Sequence, residues 1–348
     1  MAVMTMKTEE QGRRLPVMNK VMELWQLYFP GICVAITIGI AASFLSEHYG
    51  APAMLMALLL GLAFNFLSDD ARCVPGIEIS AKTVLRLGVA LLGLRITFGD
   101  VLTLGWSVLA MVCCAVLLTI GFGILLARSL GFSKRFGVLT GGSVAICGAS
   151  AAMAISSVLP ASEQSRRDTL FTVICVTTMS TIAMVVYPMI AEWLGMTPQE
   201  AGLFLGGTIH DVAQVVGAGY SISGEIGDLS IFIKLLRVAM LVPIVLMIGM
   251  AVRRYVTDQD VSAGGVAVPG FLLGFVALFV INSLGLLPEM AVEPLSASSS
   301  WLLLTAVAAL GVRTSLREIM KVGWLPVLLV VCETLFIATL IIGFISFR

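Results

Sequence analysis

The chain has 348 residues, 59% of them apolar and only 12% charged, with 21 basic against 21 acidic side chains. A soluble domain has no interior for that much apolar surface, because soluble cores stop growing near ~250–300 residues, and the mean hydropathy of +1.03 agrees. This excludes a soluble enzyme, a disordered chain, a coiled coil and a basic nucleic-acid binder, and leaves enough apolar residues for roughly ten membrane spans.

Residues 1–29 read as a cytoplasmic lead-in, polar and mixed in charge through Lys7, Arg13, Arg14 and Lys20. No signal-peptide cleavage pattern follows them. Residues 30–348 then form one transmembrane domain with eleven apolar segments. In order these are Pro30–Leu45, Ala51–Leu67, Ala81–Thr97, Leu102–Leu126, Gly137–Leu159 and Thr169–Leu194. Ala201–Ile222, Leu229–Val252, Val266–Leu287, Ser299–Val312 and Leu325–Phe347 follow. The expected fold class is therefore an all-α polytopic membrane protein of about 10–11 transmembrane helices.

Basic residues favour the cytoplasmic side of a membrane. With the N-terminus inside, the clusters at Arg128–Arg135, Arg253–Arg254 and Arg313–Lys321 all fall inside. The acidic stretches Gly224–Asp228 and Glu289–Glu293 fall outside. Arg166 and Arg167 are the exception, outside if every segment crosses. A fifth segment that dips in and returns removes that conflict, but it flips every later loop unless another segment does the same. The simple count, with every segment crossing, is the expectation here.

The run Leu92-Gly93-Leu94-Arg95 through Gly105-Trp106 recurs as Leu310-Gly311-Val312-Arg313 through Gly323-Trp324. The matched regions, 85–106 and 303–324, lie an odd number of segments apart. The second copy therefore runs the opposite way, and inverted repeats are a signature of secondary transporters.

Two glycine-rich stretches lie in mid-segment: Gly141-Gly142-Ser143 onward to Cys147-Gly148-Ala149-Ser150, and Gly206-Gly207-Thr208 onward to His210-Asp211 and Gln214. Each glycine weakens a helix by ~1 kcal/mol relative to alanine. A backbone interruption at membrane depth must line a cavity or be buried in protein. Such a break leaves free N–H groups at a positive helix end, which favours an anion. Close helix packing through small residues is the plainer reading of the glycines. The polar side chains beside them tilt the choice to a cavity. The expected substrate-binding set is Gly142, Ser143, Cys147, Gly148, Ser150, Gly207, Thr208, His210 and Gln214, together with Lys234 and Arg237.

Ionisable side chains at membrane depth are functional candidates by default. His210 and Asp211 are the expected proton-coupling pair, each with its own partner, since neighbours in a helix point ~100° apart. Lys234 and Arg237 share a helix face and are read as a cationic patch for an oxyanion, against the alternatives of snorkelling or neutralising Asp211. Arg86 lies nearer the end of its segment; Arg95 and its repeat mate Arg313 read as helix-end anchors. Glu333 stands as a coupling carboxylate or as an arginine's partner. Of the seven cysteines only Cys73 sits in a polar connection, and no metal spacing occurs, so no metal or cofactor is expected.

Four motifs in order carry a family resemblance: Leu85-Arg86-Leu87-Gly88 leading to Gly93-Leu94-Arg95-Ile96-Thr97; Ser143-Val144-Ala145-Ile146-Cys147-Gly148-Ala149; Gly207-Thr208-Ile209-His210-Asp211-Val212-Ala213-Gln214-Val215-Val216; and Lys234-Leu235-Leu236-Arg237-Val238. The chain resembles the YeiH-like sulfate exporter family of bacterial inner-membrane proteins. The resemblance implies a multi-pass inner-membrane protein that exports sulfate or a related sulfur oxyanion. Read together, residues and resemblance point to a secondary transporter of a small anion working by alternating access, with the bilayer and the solute as partners and room for a homodimer. An anion channel and an intramembrane enzyme built on Ser143 and His210 are the alternatives. The absence of a Walker motif excludes direct ATP coupling, and no Gly-x-Ser-x-Gly elbow supports a hydrolase.

Overall fold

The structure, a computed structural model, describes residues 2–49, 53–99, 105–160, 162–255, 270–313 and 324–347. Among them there is no strand, so the fold is all-α. Among the described residues six stretches are long and apolar enough to cross a membrane: Leu24–Tyr49, Trp106–Ser129, Glu163–Trp193, Gly224–Val252, Met290–Arg313 and Trp324–Ser346. Much of the repeat's second copy, at 314–323, lies outside the described residues, as do 100–104 of the first.

Helix α1 spans Ala2–Tyr49 and α2 Ala53–Ala63. Helix α3 (Val74–Ile79) passes through one π turn, Ser80–Val84, into α4 (Leu85–Leu91), which tightens to a 3₁₀ turn at Leu92–Arg95. These helices pack with α13 (Gly270–Ser283) and α14 (Glu289–Arg313) as one bundle. The α2–α14 crossing is backbone on backbone: a Cβ on Gly61 would come within 2.4 Å of the Ala308 carbonyl. The acidic stretch Glu289–Glu293, read from sequence as a loop, is the first turn of α14.

The second bundle holds α5 (Trp106–Ser129), α6 (Lys134–Ala145), α7 (Ala149–Val158), α8 (Glu163–Trp193), α9 (Pro198–Thr208) and α10 (Val212–Tyr220). Helices α11 (Gly224–Ala239), α12 (Leu241–Tyr255) and α15 (Trp324–Ser346) complete it. Polar caps set the starts. Ser133, Ser162 and Ser223 each accept a hydrogen bond from the backbone N–H three residues on. Thr197 and Glu200 form a reciprocal capping box ahead of Pro198.

The two glycine-rich segments are both interrupted, at Ile146–Gly148 between α6 and α7 and at Ile209–Asp211 between α9 and α10. Both also double back, which corrects the simple count of crossings. Gly142 lies against Ile155, so α6 and α7 run side by side as a hairpin. Gly202 near the start of α9 and Gly219 near the end of α10 both touch the first turns of α11, at Leu229 and Gly227. The α9–α10 hairpin thus leaves by the end where α11 begins. The α6–α7 hairpin leaves the other way, with Val158 against Gly249 on α12. The tips meet in between, where the Gly148 Cβ position lies 3.6 Å from the His210 backbone. Two opposed re-entrant hairpins cancel in the topology count, so Arg166 and Arg167 join the side of the other basic loops.

Candidate functional site

The hairpin tips are built from backbone groups that a helix leaves unpaired at its ends. The carboxyl ends of α6 and α9 carry partial negative charge and bare carbonyls. Lys234 and Arg237, one turn apart on α11, answer them. Lys234 Nζ donates to the carbonyls of Ile146 (2.6 Å) and Ile209 (3.0 Å). Arg237 Nε donates to Ala145 (2.8 Å), one terminal nitrogen to Gly206 (3.1 Å) and Ile209 (3.0 Å), and the other to Val144 (2.7 Å). Lys234 is 0% and Arg237 1% exposed. The sequence reading turned this pair toward a bound oxyanion; the structure spends them on five carbonyls of two broken helices.

The amino ends of α7 and α10 behave differently from each other. Asp211 is extended (φ −107°, ψ 145°) and caps α10, its carboxylate accepting from Ala213 N–H at 3.1 Å while its own N–H donates to Ser180 Oγ at 3.0 Å. The carboxylate therefore offsets the positive end of α10. Helix α7 begins at Gly148 (φ 62°, ψ −126°), with no side-chain cap. Only glycine adopts that conformation without strain. The break thus leaves the first N–H groups of α7 without a cap from Gly148, with the Cys147 thiol beside the Ala151 N–H.

A cavity of about 1540 Å³ lies between the two bundles and reaches these ends. The second bundle contributes Cys147, Ala149, Ser150, Asp211 and Gln214 to its wall. The first contributes Arg86, with Asn65, Asp69 and Arg313 toward the mouth. Of the sequence-predicted residues, Cys147, Ser150, Asp211 and Gln214 meet here. The others do not line it, for stated reasons. Ser143 and Thr208 donate their hydroxyls to carbonyls one turn back, Leu139 (2.5 Å) and Phe204 (2.6 Å). Gly142 and Gly207 pack against Ile155 and Ile341. Gly148 sits at the break and acts through its backbone.

His210 is fully buried, with Nε2 2.9 Å from Thr334 Oγ1. Thr334 already donates to the Val330 carbonyl at 2.7 Å, so its oxygen accepts from the imidazole. The remaining Nδ1 is buried without a partner. His210 and Asp211 thus serve different neighbours. No hydrogen bond joins Ser143 to His210. Glu333 is also fully buried; its Oε1 accepts from Thr140 Oγ1 at 2.8 Å and its Oε2 has no partner.

The end of the bundles away from the mouth is closed by a polar cluster that sequence reasoning missed. Arg95 in the first bundle lies 3.5 Å from the Asp228 carboxylate in the second. It also donates to the Ser296 carbonyl (2.8 Å) and to Ser300 Oγ (2.5 Å) on α14. Tyr220 hydroxyl donates to Asp228. The signal was present, an arginine in the repeat and an aspartate in an acidic stretch, but nothing in the sequence paired them. Beside the mouth, outside the spans, Arg72 hydrogen-bonds Asp70 and holds that carboxyl below the usual carboxylate range. Among the described residues no group of His, Cys, Asp and Glu is placed to hold a metal.

The family described as conserved hypothetical protein 698 matches residues 30–330. A UPF0324 membrane protein of Chlorobaculum tepidum is 53% identical over 317 residues, 91% of this chain and 88% of that protein. The UPF0324 membrane protein TauZ of Paracoccus pantotrophus is 52% identical over 315 residues, 90% and 93% of the two chains. A third, from Rhizobium meliloti, is 52% identical over 339 residues, 97% and 96%. No solved structure matches.

Proposed function

Since the chain belongs to the conserved hypothetical protein 698 family of membrane proteins, we propose that it is a secondary-active exporter of a small anion, such as sulfate, sulfite or a sulfonate, in the bacterial inner membrane. One observation carries the proposal: an uncapped half-helix amino end at the tip of a re-entrant hairpin, opening into a cavity between two bundles. Such an end offers oriented N–H donors and positive potential where water is scarce.

Alternating access follows from the same arrangement. The cavity reaches the hairpin tips from the mouth at Asn65, Asp69 and Arg313, while Arg95 and Asp228 tie the bundles together at the far end. With both hairpins re-entrant, all the basic loops share one face, and the positive-inside rule makes that face cytoplasmic. The mouth lies on it, so this conformation faces inward. Opening outward requires the Arg95–Asp228 contact to part while the bundles close over Arg86 and Ser150. Asp211, on the cavity wall, is the first stop for a coupled proton, and His210 lies behind it. An anion channel has no need for a barrier that alternates between two ends.

The test is counterflow in proteoliposomes, with labelled sulfate and labelled methanesulfonate as probes. A transporter gives saturable uptake driven by unlabelled anion inside; uptake that never saturates and shows no counterflow contradicts the proposal. The latch gives a further expectation. Asp228→Asn removes the charge on one side of a partly buried pair, and such pairs contribute on the order of 1 kcal/mol. The inward–outward equilibrium then shifts roughly fivefold toward outward-open, read as faster labelling of a Ser150→Cys variant from outside. Unchanged labelling removes the latch from the mechanism.

A further inference from the structure

We infer that Arg86 is the cation that holds the transported solute, from across the cavity, and that the solute is a short organic monoanion. The inference rests on the anion-transport reading above and deepens it. Arg86 stands on α4 in the first bundle, exposed within the cavity wall. Among the described residues it makes no ion pair or hydrogen bond; its guanidinium lies 6.0 Å over the Phe271 ring. The Asp211 carboxylate feels its charge from beyond ion-pair distance, but no direct partner of the kind such groups normally have holds its donors. Lys234 and Arg237 do not reach the solute, because they are buried off the cavity wall with most of their donors on carbonyls. Arg313 lies at the level of the mouth, about 15 Å along α14 from Leu303, the residue against which Gly88 of α4 packs.

The second bundle brings the start of α7 and the carboxamide of Gln214 to the same cavity as Arg86. Gln214 is 2% exposed and its Oε1 is buried without a partner. Its NH₂ makes no hydrogen bond either and is the end of the amide that the cavity can reach. An oxyanion there would take donors from the α7 backbone and Gln214 on one side and from Arg86 on the other.

The charge of the solute follows from what is already spent. Asp211 offsets the amino end of α10. Arg86, the amino ends of α7 and α10 at roughly half a charge each, and the Asp211 carboxylate together leave about one net positive charge facing the solute, which suits a single negative charge better than two. The body of the solute follows from the wall. Met153, Ile174, Val212, Val238 and Phe271 line the same cavity, interleaved with Thr177, Thr178 and Thr181. The cavity also exceeds the ~300–1,000 Å³ usual for small-molecule sites. A bare dianion would give up strong hydration against apolar side chains, whereas an organic monoanion buries its carbon there.

The test uses the full chain purified in detergent, with methanesulfonate, ethanesulfonate and inorganic sulfate as probes in thermal-shift titrations. The expected result is stabilisation by both sulfonates at lower concentration than by sulfate. Arg86→Gln should weaken sulfonate binding by roughly tenfold or more, as loss of a charge-assisted contact does, while Arg313→Gln changes it little. Arg86 has no internal hydrogen bonds, so Arg86→Gln should fold, and its unliganded melting temperature checks that. Wild-type binding with no loss in Arg86→Gln overturns the role of Arg86 and leaves anion transport standing. Sulfate binding tighter than either sulfonate overturns the substrate class. No response of the wild type to any of the three, with no counterflow, overturns both this inference and the reading beneath it.

Discussion

Arg237→Met is expected to lower the melting temperature of the purified protein by on the order of 5–10 °C. The side chain is 1% exposed and donates four hydrogen bonds to carbonyls at the ends of two half-helices. Methionine matches much of the volume and none of the donors. Removing one partner of a buried charged network costs about 3–5 kcal/mol. A chain longer than 250 residues converts each kcal/mol into about 2 °C. Arg237→Lys should fall between, because it restores a charge without the planar fork. The readout separates two roles. A residue that only bound anion would leave the unliganded protein as stable as before, so an unchanged melting temperature would remove Arg237 from the architecture and return it to the solute.

Gly148→Val should abolish transport, reducing counterflow by more than about tenfold, while the protein still reaches the membrane. Gly148 has φ 62° and ψ −126°, and a β-branched residue there is strained by on the order of 1–3 kcal/mol. The strain is local, since the Cβ position meets nothing closer than 3.6 Å. The break would relieve it by rotating, which moves the α7 N–H groups away from the cavity. Gly148→Ala should show a smaller loss in the same direction. Membrane insertion is checked by expression and gel filtration, flux by counterflow. Normal flux in Gly148→Val would mean that the conformation of this break is not what the solute reads.

Much of this was legible before any coordinates. Paired glycines next to Ser143, Thr208 and His210 forecast two interruptions, because an interrupted backbone in lipid needs polar company. Hydropathy alone gives eleven apolar segments, of which six are long apolar helices among the described residues. What hydropathy does not carry is direction. A re-entrant hairpin and a crossing helix have the same apolar length, and only contacts such as Gly142 against Ile155 separate them. The charge count held the clue in Arg166 and Arg167, whose misplacement needed two re-entrant segments and not one. Ser150, Asp211 and Gln214, singled out as polar groups at membrane depth, lie on the cavity wall. Nothing in a sequence shows that the ends of two half-helices need Lys234 and Arg237 more than a solute does. Thr334, the partner of His210, is 124 positions away in the chain, and no periodicity links them. The π turn and the packing of α4 that place Arg86 on the cavity wall leave no mark in the hydropathy.

The central claim is that the amino end of α7 faces an anion site reached from one side of the membrane. Ser150, exposed on that first turn, offers the most direct test. In a background with the native cysteines replaced, Ser150→Cys should react with a membrane-impermeant maleimide applied from the cytoplasmic face, slowly from the outside, and less when methanesulfonate is present. Equal reaction from both faces, or reaction that no anion slows, would contradict the account.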